Sequence, residues 1–118
     1  MENFKSPTCV SVRKAALSPR GMKSFREWNR QPNHLYIGRD MTYYIWGAVG
    51  SKWRNTFTVK KYGLEKSLEL YEERVRSTPE LIEAIGELEG MELGCWCKPN
   101  QCHGDVLIKI FNDTFITK

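Results

Sequence analysis

No window of this chain approaches the ~18 consecutive apolar residues that a membrane-spanning helix needs. The opening residues, Met1-Glu2-Asn3-Phe4-Lys5, are polar and have no apolar signal core behind them, so secretion is not expected. Cysteine is scarce: four in 118 residues is too few for a disulfide scaffold. There is no internal repeat and no low-complexity tract, and charged residues stop at 27%, which argues against disorder along the whole length. The length has room for one domain, residues 1–118, and not for two. These absences lead to the expectation of a soluble, intracellular protein (cytoplasmic or nuclear) with no membrane partner.

What is present is unevenly placed. Residues 1–61 carry twelve Lys/Arg against three Asp/Glu, while residues 62–118 carry six against eleven, so the net charge of +4 hides a strongly basic first half. That half also holds nine of the fourteen aromatics, among them Tyr43, Tyr44, Trp46 and Trp53. Basic and aromatic residues interleaved in this way suit phosphate backbones and base stacking. The same pattern also describes a core of aromatics under a solvated basic face, because charge asymmetry speaks to partners and not to fold.

Element signals follow the hydrophobic periods. Residues 8–13 alternate with Val10 and Val12 on one side, and His34-Leu35-Tyr36-Ile37 ends at Gly38, so both read as strands. Residues 14–33 read as a loop with one helical turn around Lys23–Trp28, since Pro19, Gly21 and Pro32 punctuate them. Tyr43–Trp46 has strand composition, and Thr56–Val59 reads as a short extended segment. Leu64, Leu68, Tyr71 and Val75 make the stripe of an amphipathic helix. Thr78-Pro79 starts a second helix that Gly90 ends, Met91–Cys97 reads as a strand, and Val106–Phe111 as a last short helix. The expectation is an α/β fold: a small single-domain sheet, at least partly parallel, packed with about three helices.

The chemistry is concentrated in Leu93-Gly94-Cys95-Trp96-Cys97-Lys98-Pro99-Asn100-Gln101-Cys102-His103-Gly104-Asp105, a strand, tight loop and helix start. In open α/β sheets ligands bind at such strand ends. Alternation places Cys95 and Cys97 on one face and Trp96 on the other. Cys102 and His103 reach a helix N-terminus, where backbone N–H groups favour a thiolate. Cys9 lies in an apolar stretch and reads as a small core residue. Three readings of the cluster are open. Cys95, Cys97, Cys102 and His103 offer four zinc ligands, although structural zinc sites favour wider spacing between paired cysteines. Cys102, His103 and Asp105 offer a thiol or acid–base site. The cysteines can equally be inert small hydrophobes, with His103 and Asp105 capping the helix.

Three segments carry a family resemblance: Tyr36-Ile37-Gly38-Arg39; Ser51-Lys52-Trp53-Arg54-Asn55-Thr56-Phe57; and the closing Leu93–Leu107 motif. Together they resemble the DUF4326 domain family over about residues 35–111, with Arg54 where the family pattern has Gly and Thr56 where it has Pro. The resemblance implies a small α/β domain, found in cellular and viral proteomes, and brings a site without a reaction. A fainter likeness to the DUF488 domains points to the same strand–loop–helix geometry. If the three segments converge, Arg39, Lys52, Trp53 and Asn55 join the cysteine segment in one pocket. Arg and Lys would take a phosphate, Trp53 would stay partly exposed as a plate for a base, and Asn55 would read its edge. The expected ligand is a nucleotide or nucleic acid. The alternative is a small zinc-stabilised protein-interaction module.

Overall fold

The computed structural model describes residues 4–96 and 101–116. Three strands form one sheet: β1 (Thr8–Ser11), β2 (His34–Tyr36) and β3 (Glu92–Cys95), in the order β1-β3-β2 with both pairings parallel. Leu93 of the central strand stands beside Cys9 on one side and Leu35 on the other. The helices are α1 (Lys14–Leu17), α2 (Phe25–Asn29), α3 (Val59–Tyr62), α4 (Leu64–Arg76), α5 (Pro79–Ala84) and α6 (His103–Phe115). Single 3₁₀ turns follow α1 and α5.

The order explains the layers. The chain crosses the whole sheet from β1 to β2 and then returns to the centre, so crossovers of one hand put the intervening helices on opposite faces. Leu17, Phe25 and Trp28 from α1 and α2 pack with Val10, Val12 and Tyr36 on one face. Tyr71, Val75, Leu81, Leu107, Ile110 and Phe111 pack with Leu93 and Cys95 on the other. Alternation along β3 serves both cores, with Leu93 and Cys95 to the α4–α6 side and Trp96 to the α1–α2 side.

The strands, α4 and the Thr78-Pro79 start of α5 lie where the periodicity places them, and Gly90 closes that segment at φ +68°. Other segments differ. Residues 14–33 hold the helical turn expected around Lys23–Trp28, as α2, which Ser24 caps by accepting from the Glu27 N–H at 3.3 Å, and in addition the unexpected α1. Thr58 caps α3 in the same way, by accepting from Lys61 N–H at 3.3 Å, so the segment expected to be extended leads into a helix. Tyr43–Trp46 is a turn and not a strand. Helix α6 begins at His103, with Cys102 as its N-cap, as expected of a helix start at those residues, and runs on past Phe111 to Phe115. Strand β3 ends at Cys95, and Cys97 lies outside the described residues.

The amino end of the sheet is tied by Glu92. Its carboxylate accepts from both Arg20 Nη atoms (2.9 and 3.2 Å) and from Trp28 Nε1 (2.8 Å), with His34 Nε2 at 3.3 Å. Burial pushes this carboxyl up, but the bonds from Arg20 and Trp28 and the charges of Arg20 and His34 outweigh it and hold it below the ordinary range. A carboxyl depressed on folding stabilises the fold above its unfolded pKa, ~4.3. That stabilisation is lost as pH falls through the lower folded value. Glu92→Gln is therefore expected to lower the urea midpoint at pH 7 by the equivalent of about 1–3 kcal/mol, and to lose most of that deficit towards pH 3. Equal deficits at both pH values would show that the charge contributes nothing.

Candidate functional site

At the opposite, carboxyl end of all three strands lies a cleft of about 710 Å³, within the range of small-molecule sites. Each strand exit contributes to it: Arg13 after β1, Gly38 and Arg39 after β2, and Cys95 and Trp96 at the end of β3. Cys102 and His103 add the start of α6, and Lys60, Leu64 and Leu68 close the far wall from α3 and α4.

The first motif shapes one wall. The Tyr36 ring folds back across Gly38, where a Cβ would stand 2.6 Å from its Cζ, and its hydroxyl donates to Arg39 O at 2.6 Å. Trp96 Nε1 donates to that same hydroxyl at 2.7 Å, and Arg13 Nε donates to Trp96 O at 2.7 Å. One hydrogen-bonded chain thus joins the exits of all three strands. Arg39 lines the cleft, and its side chain forms no ion pair among the described residues.

The cysteine motif makes the floor. Cys102 is the N-cap of α6: its N–H donates to Asp105 Oδ2 at 3.0 Å, and its Sγ accepts from Gly104 N–H at 3.4 Å. His103 Nε2 lies 2.7 Å from Ile37 O, and since a carbonyl can only accept, Nε2 carries the proton. That leaves Nδ1 as the ring's acceptor, 3.5 Å from Cys102 Sγ. Burial pushes the His103 pKa down, so the neutral ring is favoured. Cys95 and Cys102 are each 1% exposed, with Sγ atoms 2.8 Å apart.

Cys9 joins them from β1, with its Sγ 3.7 Å from that of Cys95, and the three sulfurs lie within 4.8 Å of one another. The apolar sequence around Cys9 signals a core residue and nothing more. Eighty-odd residues separate it from Cys95, and only the parallel β1–β3 register puts both on one face. The three sulfurs could hold a metal ion. The 3.7 Å separation fits two thiolates on one tetrahedral zinc (about 3.8 Å from a Zn–S bond of about 2.3 Å), whereas 2.8 Å is shorter than that geometry gives. Of the four expected ligands, Cys95, Cys102 and His103 are adjacent, and Cys97 is outside the described residues.

The middle motif is divided. Asn55 lines the cleft, but its amide is engaged within the protein: Oδ1 accepts from Phe57 N–H at 2.9 Å and Nδ2 donates to Ser67 Oγ at 2.9 Å. Ser67 Oγ in turn donates to Phe57 O. Lys52 points elsewhere, paired with Glu87 at 2.9 Å and over the Trp53 ring at 5.4 Å. Trp53 is 1% exposed, which corrects the expectation of a partly exposed plate. The loop around it is polar, yet its groups are satisfied from inside. Ser51 Oγ accepts from Trp53 N–H at 3.0 Å, and Tyr71, itself packed edge-on against His103, donates its hydroxyl to Trp53 O at 2.6 Å. Asp105 lines a smaller neighbouring depression and acts here in the α6 cap.

No helix among the described residues is long and apolar enough to cross a membrane. Two viral proteins are similar to this chain. "Uncharacterized protein R718" of Acanthamoeba polyphaga mimivirus is 38% identical over 86 residues, 65% of each chain. "Uncharacterized 12.4 kDa protein in nrdA-td intergenic region" of Enterobacteria phage T4 is 34% identical over 70 residues, 56% of this chain and 65% of the phage protein. The matched region therefore spans just under two thirds of each relative's length. No solved structure matches at a significant level. The family model described as "Domain of unknown function (DUF4326)" matches residues 21–113, from just after the 3₁₀ turn that follows α1 to the last turn of α6, and the chain belongs to that family.

Proposed function

We propose that the cleft binds a nucleotide-class ligand, a phosphorylated aromatic molecule. The observation that carries this reading is Arg39, which lines a cleft at the strand ends and forms no ion pair among the described residues. Arg13 and Lys60 add positive charge to the same walls, and Phe57, Leu64 and Leu68 give an apolar surface for a base. Cys102 and His103 meet that ligand from the floor, so the site has the groups for thiol or acid–base chemistry on it. Titration calorimetry with adenosine, AMP and inorganic phosphate tests the reading. AMP is expected to bind more tightly than adenosine, Arg39→Gln to weaken AMP at least about tenfold, and Lys52→Gln, outside the cleft, to leave it unchanged. No saturable AMP binding at low ionic strength would refute it.

A second reading is favoured by the three sulfurs of Cys9, Cys95 and Cys102: a small zinc-stabilised module that docks a protein partner. Native mass spectrometry of protein purified without added metal decides it. One zinc per chain supports the module, and a folded, metal-free chain eliminates it.

A further inference from the structure

The segment from Met41 to Val49 has no part in the cleft chemistry except for Met41 on its edge. It is a built loop. Met41 N–H donates to Ala48 O at 2.8 Å, and Met41 O accepts from Tyr44 N–H (2.9 Å) and Ile45 N–H (2.8 Å). At its base Asp40 Oδ1 accepts from the Thr42 N–H (3.0 Å) and hydroxyl (2.8 Å). Met41, Ile45 and Ala48 turn inward onto the α1–α2 core. The residues between them turn outward: Tyr43 is 92% exposed, Tyr44 78% and Trp46 70%. Three large aromatic rings held in water on a hydrogen-bonded scaffold cost solvation free energy without adding to the core, which marks a contact surface.

The surroundings identify the partner. Arg26 of α2 lies over the Trp46 ring, 4.3 Å from its centroid, and Arg30 caps the same helix. The loop tip meets that helix where a Cβ at Gly47 would stand 3.8 Å from Asn29 Nδ2. Residues 1–61 carry twelve Lys/Arg against three acids, of which Asp40 bonds Thr42 and Glu27 accepts from Lys23 N–H. Largely exposed rings, with Tyr43 edge-on to Tyr44 at 5.0 Å and the Arg26 guanidinium beside Trp46, within a cationic half of the chain, are the parts of a single-strand platform: bases stack and phosphates pair. We propose that Tyr43, Tyr44 and Trp46, with Arg26, form a binding surface for single-stranded nucleic acid. The proposal rests on the nucleotide-class reading of the cleft only for the chemistry of the ligand; the atoms involved are different.

Fluorescence anisotropy with a labelled oligothymidylate of about 12 nucleotides tests it. The wild-type protein is expected to bind the strand, to bind a duplex of equal length at least about tenfold more weakly, and to lose affinity steeply between ~50 and ~200 mM salt. Tyr43→Ala/Tyr44→Ala/Trp46→Ala should weaken strand binding about 30-fold or more, whereas Tyr43→Phe should preserve it, because stacking needs the ring and not the hydroxyl. All three side chains are exposed, so the variants should keep the wild-type melting temperature. The proposal is overturned if the strand fails to bind at low salt, if duplex binds equally well, or if the triple variant binds unchanged. It also falls if sedimentation shows a dimer that the triple variant converts to monomer while neither binds the strand. AMP binding separates the two proposals: if AMP fails and the aromatic-dependent strand binding holds, only the cleft reading is lost.

Discussion

Trp53→Ala is expected to destabilise the protein by about 3–5 kcal/mol, read as a fall in the urea midpoint with an unchanged slope. The indole is among the largest fully enclosed side chains, and it shares one core with Ile37, Tyr71, Cys95 and Cys102. Deleting it removes the transfer free energy of the ring and leaves a cavity under the cleft floor that neighbouring strands cannot fill without moving. The loss is a large fraction of the stability of a domain of this size, ~5–15 kcal/mol, so the variant should fold but melt at a clearly lower temperature. Trp53→Phe keeps part of the volume and should cost less than half as much. A folded Trp53→Ala protein of wild-type stability would mean that the indole is not part of the core. Any ligand affinity lost in this variant reflects the collapsed floor and not a stacking contact.

Gly94→Ala is expected to have a comparable effect for the opposite reason, overpacking. A Cβ at this position on the central strand would stand 2.6 Å from Val12 Cγ1 and 2.8 Å from Trp28 Cζ3. The Trp28 ring is held by its bond to Glu92 at 2.8 Å and stacked on His34 at 4.7 Å, so it cannot swing aside cheaply. The expected cost is about 3 kcal/mol or more, measured by chemical denaturation. Trp28→Leu in the same chain should recover part of it, since the smaller side chain opens space where the new methyl arrives. If the double variant is no more stable than expected from the sum of the singles, the clash is not the cause.

These two glycine and tryptophan positions also show how the family motifs divide their work. Gly38 and Gly94 are required where aromatic rings press against the backbone, and Tyr36 and Trp96 join the strand exits through one hydroxyl. Gly104 lets α6 approach the sheet closely, since a Cβ there would stand 3.0 Å from Ile37 Cδ1 and 3.2 Å from Cys9 Cβ. Much of the motif is therefore architecture that sets the cleft's walls, and Arg39, Cys95, Cys102 and His103 are the chemically able groups left facing into it.

The sequence by itself determined the α/β class, the three strands, the long amphipathic helix and the position of Cys102 at a helix start. Those features depend on periods of two and 3.6 and on capping residues, all of which act over a few neighbouring positions. It also located the cleft at the strand ends, because parallel strands followed by helices leave a crevice there. Tertiary structure decided which side chains reach that crevice. Composition made Trp53 look like a ligand plate in a polar loop, but Ser51 within the loop and Ser67 and Tyr71 from α4 satisfy its polar groups and let the ring sink into the core. Tyr43-Tyr44-Ile45-Trp46 looked like a strand, yet the turn closed by Met41 and Ala48 folds the segment on itself and leaves its aromatics in water. Cys9 joined the cysteine cluster only through a parallel register between residues more than eighty positions apart. Burial and long-range pairing depend on the sum of many contacts, and no local pattern encodes that sum.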